Sequence, residues 1–358
     1  MESLASPSPT RLPFFHHENT GHHATSHISF ASKTTSSPSI SFSASSEKPV
    51  VVVGSANADI YVEIDRLPKE GETVSARSGQ TIAGGKGANQ ACCGARLCPH
   101  GRSTFFLGCV GSDAHGRLIE DALVDRGVRL DRLQRIEATP TGHAVVMLQE
   151  NGQNSIIIVG GANMWGWPDE VEAEDLEVVK EAGIVLLQRE IPDRVNLQVA
   201  KAAQRANVPV ILDVGGMEGP LPKELINLVD ILSPNETELA RLTGMPTETF
   251  EQITHAVMKC HEMGTKQVLV KLGEKGSALF IEGQEPIRQP IITAKRVVDT
   301  TGAGDTFTAA FAVALVEGKS KTECLKFAAA AASLCVQVKG AIPSMPERTT
   351  VMKLLDSL

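Results

Sequence analysis

Between residues 184 and 281, short apolar segments alternate with segments of helical length. Five apolar segments have the length of buried strands, namely IVLLQ (184–188), VPVILDV (208–214), DILSP (230–234), QVLVKLG (267–273) and SALFI (277–281). Helices are predicted between most of them, at 193–206, 236–243 and 249–263. Alternation of this kind predicts an α/β fold with a central, mostly parallel sheet that is flanked by helices.

The sequence on either side extends this pattern. Further strands are predicted at 49–54 and 104–110, and further helices at 87–97, 115–126, 304–317 and 320–336. Strands with polar alternation are predicted at 60–65, at 73–82 and in an Asn-Gly hairpin at 143–160. We therefore expect a small projecting β-sheet, built from segments at about 57–82 and 142–161, that forms a lid over a substrate cleft.

The first 46 residues differ in composition from the rest. They contain 13 Ser, 5 Thr and 5 of the 10 His residues, but only two acids and two bases. Such a segment cannot bury enough apolar surface to offset its ordering entropy, so we expect it to be disordered. A Ser-rich, acid-poor segment before a folded domain is typical of a transit peptide. The sequence predicts a transit peptide at 1–46, addressed to the chloroplast stroma, and one folded domain at 47–358. A tail of no special use, or a mitochondrial or cytoplasmic location, is the alternative.

Charge and composition disfavour several classes of protein. The net charge is -8 and aromatic residues make up 4% of the chain, whereas nucleic-acid binding needs a basic surface and stacking platforms. No stretch approaches the ~20 apolar residues that span a bilayer. The sequence has no G-x-x-x-x-G-K-[ST] loop, no G-x-G-x-x-G after the first strand and no paired C-x-x-C. We therefore expect no nucleic-acid or membrane partner, no nicotinamide cofactor and no zinc site, and we expect the seven cysteines to be buried thiols.

Residues 299–306, with the sequence DTTGAGDT, are the most informative stretch. Gly302, Ala303 and Gly304 have little or no side chain and precede a predicted helix, so an anion can approach its first backbone N–H groups closely. Asp305 lies in that first turn. An acid at a helix start is often only stabilising. A carboxylate beside exposed amides also suits phosphoryl transfer, in which the amides bind the phosphate and the carboxylate accepts a hydroxyl proton.

Two further segments suit a hydroxyl-rich ligand. GGKGAN (84–89) precedes a helix and supplies Lys86 and Asn89, although its glycines equally suit a tight turn and helix packing. Asn57 and Asp59 follow the first strand, two positions apart, so both side chains point to one side of an extended chain. The carboxyl end of a strand is where α/β proteins bind ligands. The pair therefore suits bidentate recognition of adjacent hydroxyl groups.

Together these segments resemble the ribokinase family of carbohydrate kinases, also called the phosphofructokinase-B family. GGKGANQA (84–91) looks like its first signature, DTTGAGDTF (299–307) like its second, and PNETE (234–238) like its magnesium and phosphate motif. The resemblance extends over about residues 48–356 and implies ATP-dependent phosphorylation of D-ribose at O5. A family kinase for fructose, deoxyribose or a nucleoside is one alternative, and a non-catalytic regulatory homologue is another.

The resemblance also implies roles for individual residues. Asp305 matches the general base, and Gly302, Ala303 and Gly304 match the anion hole. The positions that contact ribose in the family correspond to Asn57, Ala58, Asp59, Gly85, Lys86, Gly87, Ala88, Asn89 and Glu190. Those that bind ATP correspond to Asn235, Gly304 and the turn formed by Lys271, Leu272, Gly273, Glu274, Lys275 and Gly276. Those that organise Mg²⁺ correspond to Asn235 and Glu238.

The family resemblance further implies activation by K⁺ and a homodimer formed through the lid sheet. The ligand positions for K⁺ correspond to Asp299, Thr301, Cys335, Val338, Gly340 and Ser344. Three departures from the family pattern bear on substrate and nucleotide contacts. DVGG (213–216) replaces an Asn-Pro-Ala-Pro run, Trp165-Gly166-Trp167 replaces small polar residues, and Ala329 replaces a polar residue.

Overall fold

The computed structural model describes residues 47–149, 154–217 and 219–358. The predicted transit peptide and the predicted Asn-Gly turn lie outside these residues. The strands in the described residues are β1 (Val50–Val53), β2 (Asn57–Ile64), β3 (Ser78–Gly84), β4 (Thr104–Gly111), β5 (Arg129–Ile136), β6 (His143–Gln149), β7 (Asn154–Val159), β8 (Ile184–Arg189), β9 (Val210–Gly216), β10 (Ile231–Ser233), β11 (Gln267–Lys271), β12 (Ser277–Ile281) and β13 (Ile287–Gln289). The helices are α1 (Lys86–Leu97), α2 (Ala114–Asp125), α3 (Ala162–Trp165), α4 (Ala173–Lys180), α5 (Asp193–Arg205), α6 (Lys223–Ile226), α7 (Glu236–Thr243), α8 (Phe250–Glu262), α9 (Ala303–Val316), α10 (Lys321–Cys335), α11 (Ala341–Ser344) and α12 (Arg348–Asp356).

Nine strands form the central sheet, in the order β13-β12-β11-β10-β9-β8-β1-β4-β5. Neighbours pair in parallel from β11 to β5, so the predicted mostly parallel α/β sheet is confirmed. The pairs β11·β12 and β12·β13 are antiparallel. Only residues 272–276 join β11 to β12, and a connection of this length is too short for the crossover that a parallel pair needs.

The core fixes the position of the first turn of α9. Residues 305–314 of this helix are all buried, as expected of a helix that is apolar on every side. The helix packs against α1 and α10 and contacts β1 and β8, two strands whose residues are all buried. The helix α9, whose first turn contains Asp305, is therefore held next to the middle of the central sheet.

A second, four-stranded sheet has the order β3-β2-β6-β7. It is built from the segments predicted as lid strands, but β3 begins at Ser78 rather than at residue 73. The strand β2 follows β1 after only three residues, so this sheet begins where β1 ends. On its edge strand β7, Ile156, Ile157 and Ile158 are more than half exposed.

All seven cysteines are free thiols, and six of them are buried, as predicted. Cys98 is half-buried. Burial raises the pKa of the Cys92, Cys109 and Cys260 thiols to about 12, so these thiols stay protonated and unreactive at neutral pH. None of the helices in the described ranges is long and apolar enough to cross a membrane.

Candidate active site

The carboxyl ends of five neighbouring parallel strands lie at one edge of the central sheet. Asn57 follows β1 and Glu190 follows β8. Asp213 is the middle residue of β9, Asn235 follows β10, and Lys271 ends β11. This edge is where ligands bind in α/β sheets. The strand order therefore brings together residues that lie far apart in the sequence.

The carboxylate of Asp305 lies in the first turn of α9 and is buried, with 6% exposure. Asn89 Nδ2 donates to its Oδ2 at 2.9 Å, and Gln90 Nε2 donates to its Oδ1 at 3.2 Å. Gln188 in turn donates to Gln90 Oε1 at 2.7 Å. Two side-chain donors thus orient the carboxylate, which as an ion has further lone pairs for a substrate proton.

The turn before Asp305 has a backbone conformation that favours glycine. Gly302 has φ 78°, in the left-handed region that favours glycine. The N–H of Ala303 donates to Thr300 O at 3.2 Å, so this amide of the predicted anion hole already has a partner. The amides of Gly304 and Asp305 lie in the first turn, where an α-helix has no acceptors of its own for N–H groups. These two amides are the donors that an anion can use.

The glycines of GGKGAN bring α1 against the loop after β1. Gly85 has φ 90°, and a Cβ on it would lie 2.7 Å from Asn57 N. A Cβ on Gly87 would lie 2.6 Å from Ser55 N and 2.7 Å from Ser55 O. The alternative considered from sequence, a tight turn with close helix packing, is therefore present, and it sets the position of Lys86 between the two glycines.

Asn57 is held at the start of β2 by a second asparagine. Asn163 Nδ2 donates to Asn57 Oδ1 at 2.7 Å and to Ala56 O at 3.0 Å, and Asn163 Oδ1 accepts from Ala56 N at 2.9 Å. The Asn57 carbonyl is thereby oriented, and its amide N–H groups are turned away from Asn163. Ala58 and Ala88, both predicted at the sugar side, are fully buried.

Several acidic groups meet beside the small sheet. Glu190 Oε2 accepts from Ser55 Oγ at 2.5 Å and from Lys86 N at 3.1 Å. Burial raises the pKa of Glu190, although the charge of Lys86 and these hydrogen bonds oppose the shift. Burial, followed by the charges of Glu190 and Asp305, raises the pKa of Asp59 to about 7. The predicted sugar side is therefore crowded with carboxyl groups, and one of them titrates near neutral pH.

Lys86 and Lys271 lie on two sides of Asp213, which is fully buried. Lys271 Nζ is 2.7 Å from Asp213 Oδ2. Lys86 Nζ is 3.7 Å from Asp213 Oδ1 and 4.0 Å from Asp305 Oδ1. Burial disfavours charge on Asp213, but the two lysines outweigh it and lower its pKa. Burial also disfavours charge on Lys86, but Asp213, Asp305 and other acids outweigh it and raise its pKa. Lys86 and Asp213 are therefore both charged at neutral pH.

Asn235 and Glu238 form a capping box at the start of α7. Asn235 Oδ1 accepts from Glu238 N at 2.8 Å, and Glu238 Oε2 accepts from Asn235 N at 2.8 Å. Glu238 Oε1 instead faces the backbone of Gly215, where an added Cβ would lie 2.4 Å from this oxygen and 2.7 Å from Lys86 Nζ. Within the described residues no cluster of three His, Cys, Asp or Glu residues could hold a metal ion. A half-buried carboxylate oxygen of this kind suits a Mg²⁺ ion that arrives with nucleotide phosphates and keeps several waters.

An apolar cleft of about 420 Å³ lies next to the start of α9. Gly273, Glu274 and Gly276 of the predicted nucleotide turn form part of its wall. Most of the remaining lining is apolar, including Ile291, Ile292, Val297, Phe307, Ala329, Ala332 and Val336. Thr300 and Ala303, at the turn that precedes Asp305, also line it. An apolar slot that ends at helix amides suits a nucleoside that carries phosphates.

Three other residues of that predicted turn face elsewhere. Leu272 is buried, with 3% exposure, and does not line the cleft. Lys275 is exposed and its Nζ lies 3.0 Å from Glu236 Oε1. The side chain of Lys271 reaches Asp213 rather than the nucleoside cleft.

Four of the positions predicted for K⁺ lie in two loops, Asp299 and Thr301 before α9 and Val338 and Gly340 before α11. The other two, Cys335 and Ser344, are the last residues of α10 and α11. The Asp299 carboxylate accepts from Thr301 N at 2.9 Å and from Gly340 N at 2.8 Å. Cys335 Sγ lies 3.0 Å from Ser344 Oγ and 3.9 Å from Thr301 O. Partial burial opposes ionisation of Asp299, but the hydrogen bonds from Gly340 and Thr301 outweigh it and lower its pKa. A charged carboxylate thus ties the loop before α9 to the loop before α11.

A sequence model described as pfkB family carbohydrate kinase matches residues 47–348. The chain belongs to the pfkB family of carbohydrate kinases.

Relatives of this pfkB-family kinase include ribokinase of Arabidopsis thaliana, which is 72% identical over 309 residues, or 86% of this chain and 81% of the relative. Ribokinase of Bacillus subtilis is 38% identical over 310 residues, or 86% of this chain and 99% of the relative. The solved structure of Arabidopsis thaliana ribokinase complexed with ribose and ATP superimposes with a TM-score of 0.83 and covers 86% of this chain and 98% of that one.

Some polar residues at the site of this pfkB-family kinase were not selected from the sequence. They are Ser55, Gln90, Asn163, Gln188 and Thr308, and all five are buried. Gln90 lies inside the GGKGANQA segment next to Asn89, and Ser55 lies two positions before Asn57. Gln188 carried a usable signal, because a buried amide at the end of an apolar strand needs partners of its own.

The three departures fall in different places. Asp213 lies in the site between Lys86 and Lys271. Ala329 lines the nucleoside cleft, so an apolar methyl group stands there. The side chain of Trp165 is 79% exposed and Trp167 is buried. Of the three departures, the one at Asp213 alters the charge of the pfkB-family site.

Proposed function

We propose that this carbohydrate kinase is a ribokinase, which transfers the terminal phosphoryl group of ATP to O5 of D-ribose. The observation that carries the proposal is the position of Asp305. Asn89 and Gln90 orient its carboxylate in the first turn of α9, close to the apolar cleft that Thr300 and Ala303 line. The relative that is 72% identical is named ribokinase, and its solved counterpart holds ribose and ATP.

In the proposed reaction the ribose O5 hydroxyl gives its proton to Asp305 as O5 attacks the terminal phosphorus. The bond from that phosphorus to the β–γ bridging oxygen breaks, and the electron pair stays on ADP. The amides of Gly304 and Asp305 bind the charge on the transferring group. When bound, Mg²⁺ beside Glu238 would neutralise further phosphate charge. The protein acts mainly by positioning and by electrostatic stabilisation.

On the sugar side, the proposal assigns hydroxyl recognition to Asn57, Asp59, Asn89 and Glu190. Asn57 and Asn89 are fixed by hydrogen bonds to Asn163 and Asp305. Fixed amides and carboxylates discriminate hydroxyl patterns strongly, because a missing hydroxyl leaves a buried polar group unpaired. This arrangement favours an acceptor with adjacent hydroxyls over deoxyribose.

A substrate panel tests the proposal. ADP release is measured with D-ribose, 2-deoxyribose, fructose and adenosine, and the product of each active acceptor is located by ³¹P–¹H NMR. We expect the highest kcat/KM with ribose and a phosphate on O5. A higher kcat/KM with another acceptor would overturn the proposed substrate, and a lack of activity with every acceptor would favour the non-catalytic alternative.

The raised pKa of Asp59 gives the proposed sugar site a pH dependence. The unfolded chain ionises this group near 3.8 and the folded chain near 7. From about pH 4 to about pH 7, rising pH should therefore lower the free energy of unfolding of the sugar-free protein. Sugar hydroxyls stabilise the ionised form, so we expect the KM for ribose to rise as the pH falls below about 7, by at most about tenfold per unit. Asp59→Asn should give a higher KM that no longer varies, whereas an invariant wild-type KM would refute the assignment.

We propose that K⁺ binds between the loops tied by Asp299 and raises the rate, because the loop that contains Asp299 leads directly into the turn before Asp305. Replacing K⁺ with tetramethylammonium at constant ionic strength should lower kcat several-fold, and Asp299→Ala should remove the difference. An equal rate in both salts would reject the cation site.

A homodimer through the small sheet is also proposed. Its support is the exposed row Ile156, Ile157 and Ile158 on the edge strand β7, since apolar patches of this kind usually contact a partner. Light scattering should give twice the chain mass, and Ile156→Asp with Ile158→Asp should give the mass of one chain. A wild-type protein with the mass of one chain would refute the dimer.

We propose chloroplast import directed by residues 1–46. The support is compositional: Ser and Thr are abundant and acids are nearly absent. Residues 1–46 fused to a fluorescent protein should enter chloroplasts of plant cells, and the same fusion made with residues 47–358 should not. Fluorescence of the first fusion in mitochondria or cytoplasm would contradict the proposal.

A further inference from the structure

Four charged side chains follow one another across the floor of the site, in the order Lys271, Asp213, Lys86 and Asp305. The consecutive contacts are 2.7 Å, 3.7 Å and 4.0 Å. Asp213 is fully buried, and the Lys271 side chain is only 13% exposed. A lysine on the surface gains little from an ion pair, whereas a buried ion pair needs good geometry to offset its desolvation. The burial of the ion pair between Lys271 and Asp213 therefore indicates a role beyond the attraction between the two charges.

The ammonium of Lys271 lies beside the first turn of α9. A Cβ added to Gly304 would lie 3.8 Å from Lys271 Cδ and 4.0 Å from Nζ. The Lys271 stem thus runs past the glycine whose amide faces an incoming anion. Larger side chains at residue 304 would separate the ammonium from these amides.

Lys271 also has hydrogen-bonding capacity for a ligand. An ammonium has three N–H donors. Among the described residues its acceptors are Asp213 Oδ2 at 2.7 Å and Thr308 Oγ1 at 3.5 Å. One N–H is left for an oxygen that approaches the start of α9.

The Asp213 carboxylate also accepts hydrogen bonds from groups other than the two lysines. Gly215 N donates to its Oδ1 at 3.0 Å, and Thr308 Oγ1 lies 3.5 Å from its Oδ2. Thr308 is in turn 3.1 Å from Ser233 Oγ. The carboxylate is therefore fixed by β9, β10 and α9 together, and it fixes the lysine ammonium in turn.

We infer that Lys271 binds the transferring phosphoryl group of a nucleoside triphosphate, and that Asp213 is a positioning residue that holds the Lys271 ammonium at the start of α9. This rests on the proposed phosphoryl transfer. The Lys271 ammonium stabilises negative charge on the phosphoryl oxygens while the bond to the β–γ bridging oxygen breaks and the bond to the acceptor oxygen forms. At Asp213 the chain has a carboxylate in place of the asparagine of the family pattern, and Lys271 supplies the charge that balances it.

Calorimetry without any sugar compares the affinities of AMP and of a β,γ-imido analogue of ATP. In Lys271→Met we expect the affinity for the imido analogue to fall at least tenfold and that for AMP to change less than twofold. The kcat with ribose should fall about 10²-fold, as for loss of one preorganised donor, with little change in the KM for ribose. Lys266→Met, at the opposite end of β11 and exposed, is the matched control and should resemble the wild type.

A double-mutant cycle separates positioning from a merely structural role. Asp213→Asn should lower kcat about tenfold in the wild type but less than twofold when Lys271→Met is already present, because Asp213 acts through Lys271. The double variant also removes both charges, so it keeps the site electrically balanced if Lys271→Met alone fails to fold.

Equal losses for AMP and for the imido analogue, or no loss for either, would overturn the inference. So would an Asp213→Asn effect that persists in full in the double variant. Since the calorimetry contains no sugar, its result stands even if the wild type proves inactive on ribose. A wild type that is inactive on ribose would refute the proposed acceptor alone.

Discussion

Asp305→Asn is expected to lower kcat about 10³-fold, within the range that a positioned general base contributes. The change removes the acceptor of the hydroxyl proton but keeps the size of the side chain. The affinities for ribose and for the imido analogue of ATP should stay within a few-fold of the wild type. The measurements are ADP release under saturating substrates and calorimetry for each ligand.

The same substitution also lowers the stability of the folded protein, so the free energy of unfolding is measured together with the activity. Asn89 and Gln90 both donate to the carboxylate, and a new amide can accept from only one of them. We therefore expect a loss of about 1–3 kcal/mol in the free energy of unfolding. Asp305→Ala, which adds no opposing donor, serves as the second variant, and Asp121→Asn on the exposed side of α2 serves as the control. A folded Asp305→Ala protein with near-normal kcat would eliminate Asp305 as the base.

The sequence predicts well those parts of the site whose backbone conformation depends on neighbouring residues. The turn at Gly302 and the turn at Gly85 both have positive φ, and each stands directly before a helix. Glycine, helix start and neighbouring polar residue occur within ten residues of one another, so both turns can be located from the sequence alone. The apolar runs of β1 and β8 are predictable for the same reason.

The pair formed by Asp213 and Lys271 could not be predicted in that way. The two residues are 58 positions apart, and they meet because β9, β10 and β11 are neighbours in the sheet. A lysine at the end of a strand is in most proteins a surface residue. Only the order of the strands shows that this one is buried beside a carboxylate. The contact of Gln188 with Gln90, across 98 positions, was missed for the same reason.

The missed strand β5 shows a second limit. Its sequence, RLDRLQRI, has no apolar run, because it lies at the edge of the central sheet and carries three arginines. Arg135 pairs with Glu120 and Arg132 with Asp175. Charged edge strands discourage pairing with other chains. The charged residues that protect the edge of the sheet thus also remove the apolar run by which a strand is predicted.

Gly87→Ala is expected to destabilise the folded chain by about 3 kcal/mol or more, the upper part of the range for an overpacked core. The added Cβ would lie 2.6 Å from Ser55 N, 2.7 Å from Ser55 O and 2.8 Å from Gly54 C. All three are backbone atoms, so no flexible side chain can move to relieve the clash. Alanine favours helices over glycine by about 1 kcal/mol, so a net loss measures the steric term. Chemical denaturation of the purified protein gives the value.

Gly94→Ala is the matched control, because it lies in the same helix α1 and gains the same helix propensity. Its Cβ would meet only side-chain atoms of Thr104, the nearest at 3.2 Å, and these can shift. We expect a change within about 1 kcal/mol of the wild type. Because Gly87 sets the distance from α1 to the loop after β1, its variant should also raise the KM for ribose, whereas Gly94→Ala should not. Equal stability of the two variants would mean that the GGKGAN glycines serve the ligand and not the packing of α1.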